Sequence, residues 1–362
     1  MSSTDPLPQG STIGILGGGQ LGRMLALAAA RLGMRSHIYC PDPNSPAFEV
    51  TPHKTVAAYD DEAALAAFAD AVDVVTYEFE NVPAATAEFI AARKPLRPGA
   101  RALAVSQDRL EEKGFLSASG IAVAPYRSVQ TLNDLQKALI ELGTPAVLKT
   151  TRLGYDGKGQ RIIRNADEAS SALDALSPKP LVLEAFIAFE KEISVIVARN
   201  ALGEVKAFDP AENLHRDHIL KTSTVPAAVP PRTAAAATAA AVAIVEALDY
   251  VGVLGVEFFV TSDFGFLVNE IAPRVHNSGH WTEAACVSDQ FEQHIRAVLN
   301  WPLGDTTRFA DVEMENLIGD EVSTVPGSLG PATRPHLYGK TEARPGRKMG
   351  HINRLRPKSA PQ

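Results

Sequence analysis

Val253-Leu-Gly-Val-Glu257-Phe-Phe-Val-Thr261-Ser-Asp-Phe-Gly265-Phe-Leu-Val-Asn269-Glu270-Ile271 reads as two strands, Val253–Thr261 and Phe266–Ile271, joined by a turn of Ser, Asp and Gly. A two-residue or a four-residue hairpin loop gives the same pairing, and under it Glu257 stands directly opposite Glu270. Two carboxylates facing each other across a ladder repel, which a folded sheet tolerates mainly when a positive charge lies between them. Val256, Phe258, Phe259 and Val268 make the surroundings too apolar for a wet pair bridged by lysine. Hard oxygen ligands so placed suit Mg²⁺. Asn269 faces the other way in an ideal strand, but Pro273 ends the strand, so local twisting can bring its amide oxygen to the same ion. The hairpin predicts an antiparallel sheet and a metal together.

Immediately downstream, Ala272-Pro-Arg274-Val-His276-Asn277-Ser-Gly-His280-Trp281 is a polar loop dense in donors at the mouth of that site. His276 and His280 stand four apart without a helix to align them, so zinc ligation by this pair is disfavoured. Upstream, the strands Glu192–Arg199 and Val205–Phe208 and the Ala-rich helix Arg232–Leu248 complete an antiparallel sheet with packed helices, and a helix Ser288–Leu299 follows. Lys149-Thr-Thr-Arg-Leu-Gly154-Tyr155-Asp156-Gly157-Lys158-Gly159-Gln160 lies between two predicted strands, which excludes a phosphate loop of the strand-to-helix kind. It reads as a flexible lid whose amides fold over a polyphosphate, with Lys149 aimed at the charge. Glu184, ending the strand Leu181–Leu183, and Glu192 are candidates to hold an adenine and a ribose. Arg109 adds positive charge that a triphosphate needs. A helix near Asp167–Leu176 makes this segment a separate small α+β unit.

The first hundred residues alternate strands (Ser11–Leu16, Ser36–Cys40, Asp73–Tyr77) with helices (Gln20–Leu32, Glu62–Ala71), the rhythm of a parallel doubly wound sheet. Gly17-Gly-Gly19-Gln20-Leu21-Gly22 follows the first strand and opens a helix, a place for a phosphate. With Asp42 it also fits a dinucleotide fingerprint, and tight-turn packing remains a further reading. Leu103–Gly120 is helical. Near the C-terminus, Lys340, Arg344, Arg347 and Lys348 concentrate cations and suggest a second anion site. The expected divisions are 1–111, 112–188 and 189–362.

The chain of 362 residues is long enough for two or three packed units. A net charge of −7 argues against nucleic acid as a partner, and no apolar run approaches a bilayer span. Met1–Gly10 reads as a loose leader without signal-peptide character, which leads to a cytoplasmic expectation. Cys40 and Cys286 lack ligand spacing and read as core residues, and Pro357–Gln362 is expected to fray.

Taken together, these stretches resemble the N5-carboxyaminoimidazole ribonucleotide synthetase family of the ATP-grasp superfamily. The likeness is carried by Gly-Gly-Gly-Gln-Leu-Gly-Arg-Met at 17–24, Tyr77-Glu-Phe-Glu-Asn-Val82, the lid Gly154–Gln160, Asn269–Trp281 and Arg344-Pro-Gly-Arg-Lys-Met-Gly350. It implies an α/β with α+β chain: an ATP-grasp fold preceded by a Rossmann-like parallel-sheet domain, with a small C-terminal extension. It implies ATP contacts from Arg109, Lys149, Gly154 to Gln160, Glu184, Ala185, Phe186, Ile187, Glu192 and His215. Magnesium would be held by Glu257 and Glu270 beside Asn269. The phosphate of aminoimidazole ribonucleotide would meet Gly19, Gln20, Leu21, Lys340 and Arg347 near Lys348, with Glu78 approaching the substrate. Tyr155, Lys158, Arg274, His276 and Asn277 would surround bicarbonate and carboxyphosphate. Lysine at 158, where some relatives carry arginine, keeps the charge but not a bidentate grip. A homodimer is implied as well. The rivals are a formate-dependent glycinamide ribonucleotide transformylase-like ligase, a nicotinamide oxidoreductase and a nucleotide-sensing module without turnover.

Overall fold

The computed structural model describes residues 5–154, 158–176, 178, 180–263 and 265–360. Seventeen strands among them form three sheets. The first contains β1 (Thr12–Leu16), β2 (Arg35–Tyr39), β3 (His53–Thr55) and β4 (Val74–Tyr77), all parallel in the order β3-β2-β1-β4. β1 and β4 are nearly continuous in buried residues, as a parallel sheet covered on both faces requires. Only β3 was unforeseen; three residues of His, Lys and Thr on an edge carry no apolar signal.

Three expectations, two about the chain ends and one about a helix, are corrected. The described part of the supposed leader is tied down at Leu7, whose N–H donates to the Leu299 carbonyl at 3.0 Å and whose carbonyl accepts from Trp301 Nε1. At the other end β17 runs to Pro357, and Ser359 N–H reaches Asp311, so fraying does not begin at Pro357. The helical stretch 103–120 is also two helices, Ala100–Gln107 and Arg109–Ala118. Asp108 breaks it in extended conformation and caps the second helix by accepting from Leu110 N–H. The break puts Arg109 at a helix start.

The second sheet, in the order β5-β8-β6-β7, pairs β5 (Tyr126–Val129), β6 (Ala146–Thr150), β7 (Gln160–Ile163) and β8 (Leu181–Ala185) antiparallel. Helices Leu132–Leu142 and Ala169–Leu176 cover its apolar face around Leu135, Leu148 and Leu183. The Thr131 and Asp134 capping box starts the first of these.

The third sheet has nine strands: β9 (Lys191–Arg199), β10 (Val205–Ala207), β11 (Ala211–Arg216), β12 (Ile219–Val225), β13 (Gly252–Val260), β14 (Phe266–Ala272), β15 (Ala310–Ile318), β16 (Thr333–Leu337) and β17 (Lys348–Pro357). Its order is β14-β13-β9-β11-β12-β15-β17-β16, with β10 beside β9. The C-terminal strands therefore continue the same sheet through the pairing of β12 with β15. Helix Pro231–Ala247 covers one face. On the other, helices Gln20–Arg31 and Gln290–Val298 pack with Trp281 in one core that joins the first sheet to the third. Cys40 and Cys286 are both buried thiols.

Candidate active site

The β13–β14 hairpin differs from an ideal ladder at one point. Near its tip Val260 pairs with Phe266 and Phe258 with Val268, one residue out of the expected register, and Thr261 N–H donates to Gly265. A bulge between Glu257 and Phe258 then takes up Asn269 as an extra residue, so Glu257 faces Glu270 after all. The register at the tip is offset by one residue from the one that both loops considered from sequence require, and the bulge restores the pairing deeper in. A bulged residue loses strict alternation, which is how Asn269 lines the same cleft as the two glutamates.

The electrostatics show an uncompensated site. Burial and then Glu270 push the Glu257 carboxyl up to about 7. Burial, with Glu270 again, pushes Glu112 up to about 8, although Ile271 N–H donates to it at 2.6 Å. Arg109 lies 3.5 Å from Glu270. His276 Nε2 is 3.5 Å from Glu257, but burial and Arg274 lower its pKa to about 3, so it is neutral. Ser278 N–H lies 3.4 Å from His276 Nδ1, and the Ser278 hydroxyl, which itself accepts from Ser194, lies 2.8 Å away. That network puts the imidazole proton on Nε2, facing Glu257. Oxygen donors facing one another, with Arg109 beside Glu270 but no cation beside Glu257, fit a hard divalent cation.

One cleft of about 570 Å³ gathers most of the expected residues: Gly19, Gln20, Leu21, Glu78, Arg109, Lys149, Gly154, Lys158, Gln160, Glu192, His215, Glu257, Asn269, Glu270, Arg274, His276, Asn277 and Lys348. Both Asn277 amide atoms are buried without a hydrogen-bond partner among the described residues. His215 Nδ1 pairs with Glu192; burial lowers its pKa, but the Glu192 bond outweighs this and raises it. Tyr155, Asp156 and Gly157 lie outside the described residues.

Other expected residues stand apart from the lining. Glu184 is buried behind Lys149, accepting from its Nζ at 2.9 Å with Lys113 Nζ at 3.4 Å. Ala185, Phe186 and Ile187 lead from β8 toward β9; Ala185 N–H donates to Pro125 and Phe186 N–H to Pro145. Gly159 adopts φ +72°, and an added Cβ would meet Thr150 Oγ1 at 2.7 Å. Lys340 Nζ donates to the Lys348 carbonyl, and burial, then Arg347, lower its pKa to about 8. Arg347 donates to the Glu342 carbonyl.

At the first glycine turn Glu78 behaves unexpectedly. Its Oε1 accepts from Gly19 N–H at 2.5 Å and its Oε2 from Gly22 N–H at 2.8 Å. Of the three expected amides, Gln20 and Leu21 therefore remain for an incoming anion. A Cβ on Gly17, at φ +109°, would lie 2.3 Å from Glu78 Cγ, so only glycine admits this carboxylate. Ser45 crowds Gly18 in the same way, and Asp42 is used by the neighbouring turn. Glu78 and Ser45 thus take up the close approach to Gly17 and Gly18 that a dinucleotide would need.

Sequence reasoning missed Glu80, Glu112 and Lys113. Glu80 pairs with Arg274, which overcomes burial and holds its carboxyl down to about 2. Glu112 and Lys113 sit in a run of charges that reads as a solvated helix face, and only their burial reveals them.

Three family models match consecutive stretches: a ribonucleotide synthetase preATP-grasp domain over 10–107, an ATP-grasp domain over 114–291 and a phosphoribosylaminoimidazole carboxylase C-terminal domain over 313–360. The chain is 55% identical over 356 residues to N5-carboxyaminoimidazole ribonucleotide synthase of Brucella melitensis, covering 98% of each. It is similar to a crystal structure of an ADP complex of N5-carboxyaminoimidazole ribonucleotide synthetase, with TM-score 0.94 and 43% identity over 98% of this chain and 94% of that one. It is also similar to the Aspergillus clavatus enzyme in complex with ADP and 5-aminoimidazole ribonucleotide, with TM-score 0.90 and 34% identity over 96% and 94%.

Proposed function

The chain belongs to the N5-carboxyaminoimidazole ribonucleotide synthetase family of ATP-grasp ligases, and from that premise we propose how its own residues carry out the ATP-dependent carboxylation of 5-aminoimidazole ribonucleotide in purine biosynthesis. The observation that carries the reading is the facing of Glu257 and Glu270 across the Asn269 bulge, in a cleft that also holds Lys149 and Lys158 and reaches the Gln20 and Leu21 amides.

Glu257, Glu270 and Asn269 are the residues that would hold Mg²⁺, which when bound supplies positive charge to the phosphates of ATP. Arg109, Lys149 and Lys158 neutralise the same phosphates, since phosphoryl transfer depends on positioning and charge. Glu184 holds Lys149 from behind, and Glu192 with His215 faces the nucleoside. A bicarbonate oxygen attacks the γ-phosphorus as the bond to ADP breaks, giving carboxyphosphate. Loss of phosphate from that intermediate frees CO₂, and the substrate's exocyclic amine bonds to its carbon while the released phosphate takes the amine proton. Arg274, held by Glu80, and the Asn277 amide bind the anionic intermediate. His276 with its proton on Nε2 serves as a hydrogen-bond donor, because a base would need that nitrogen free. Gln20 and Leu21 amides with Lys340 and Arg347 bind the ribonucleotide phosphate, and Glu78 orients the aminoimidazole. The lid around Gly154 keeps water from the labile intermediate. A homodimer working in the cytoplasm is part of the same reading, and no helix among the described residues is long and apolar enough to cross a membrane.

Phosphate release with ATP, Mg²⁺ and bicarbonate is expected only when 5-aminoimidazole ribonucleotide is added. Turnover with glycinamide ribonucleotide and formate instead would overturn the assignment.

A further inference from the structure

A second cluster of ionisable side chains lies where the C-terminal strands meet the short helix Thr282–Ala285. His336 on β16 and His351 on β17 are directly opposite in register, so their side chains leave the same face of the sheet. Glu283 on the helix brings Oε2 to 3.2 Å from His336 Nδ1 and 3.3 Å from His351 Nε2. One ligand atom from each of the three lies within 4.8 Å of the others. His351 is fully buried, and its Nε2 has no hydrogen-bond partner of good geometry among the described residues. Its other nitrogen, Nδ1, is 3.0 Å from Tyr338 Oη, the kind of outer partner that fixes the ring of a metal-bound histidine. Arg334 bonds the backbone carbonyl of Glu283, leaving the carboxylate to the imidazoles. The Glu283 and His336 side chains are 14% and 20% exposed, which leaves an approach for an ion.

We propose that Glu283, His336 and His351 form a Zn²⁺ site, with a fourth position open to water. Two imidazole nitrogens and one carboxylate oxygen are a donor set that suits zinc and not magnesium. The ligands bind deprotonated, so loading the site releases protons. The helix bearing Glu283 follows directly on the loop of His276 and Asn277, so the ion pins the C-terminal strands to that loop.

Titration of the metal-stripped full chain with Co²⁺ tests the site, because a nitrogen-containing tetrahedral site absorbs strongly in the visible and an all-oxygen octahedral site does not. One equivalent is expected to give the strong absorption, Zn²⁺ is expected to abolish it, and Zn²⁺ is expected to raise the melting temperature by at least about 2 °C. His336→Gln and Glu283→Gln should each lose the absorption, with metal-free melting curves reporting that the fold is kept. Glu270→Gln should retain it. Absence of the strong absorption from the unaltered chain, its persistence in a folded His336→Gln variant, or its loss in Glu270→Gln would each overturn the proposal.

Discussion

Glu184 and Glu257 are both carboxylates largely taken from water beside the same cleft, but their compensation is opposite. Glu184 lies between Lys149 and Lys113, which outweigh its burial and hold its pKa below the ordinary carboxylate value. Glu257 has a second carboxylate opposite and a neutral imidazole beside it, and its pKa rises to about 7. The first region carries its counter-ions within the chain and is electrostatically closed. The second carries a deficit that the proposed cation would relieve, so affinity for the ion and instability without it would have one origin.

Removing one carboxylate from each region tests this contrast. Glu270→Gln is expected to lower kcat for phosphate release about a thousandfold or more, the several kcal/mol that a bound cation contributes. Its metal-free melting temperature should stay about level, because the repulsion with Glu257 that is removed offsets the Arg109 ion pair that is lost. An active variant, or one that melts well below the parent, would break the comparison. Glu184→Gln should do the reverse to the fold, destabilising it by about 3–5 kcal/mol in urea unfolding as two buried lysines lose their counter-ion. A loss below about 1 kcal/mol would show that the lysines do not depend on it.

Lys340 sharpens the contrast from the substrate side. Burial, then Arg347, lower its pKa to about 8, so in the free enzyme its ammonium is charged below that pH and lost above it. kcat/KM for the ribonucleotide should therefore fall above about pH 8, approaching tenfold per unit. Lys340→Arg should move that limb to higher pH, and an unmoved limb would remove Lys340 from the phosphate. Asn269→Ala should have the smallest effect, raising the Mg²⁺ concentration for half-maximal rate by about tenfold with stability unchanged. A change in stability alone would reduce Asn269 to a bulge former.

Much of this organisation was legible in residue order. The parallel sheet at the start follows from alternating strand and helix patterns, and Glu257 opposite Glu270 follows from hairpin arithmetic. That arithmetic succeeded although the register at the tip is offset by one residue, because the Asn269 bulge cancels the error. Whether a bulge forms depends on the partner strand and the twist it imposes, which no local pattern records. Glu112 and Lys113 were invisible for a similar reason: a charged pair in a helix looks the same whether it faces water or another element.

By itself the sequence determined the parallel sheet at the start, the first glycine turn and the hairpin pairing of the two glutamates. All depend on spacing along one segment, where periodicity and turn chemistry act locally. Tertiary structure alone decided that Glu78 caps the first glycine turn, that Glu184 is compensated and Glu257 is not, and that Glu283 meets two histidines from separate strands. Those outcomes depend on through-space distances and on the exclusion of water, and both exist only after distant segments have packed.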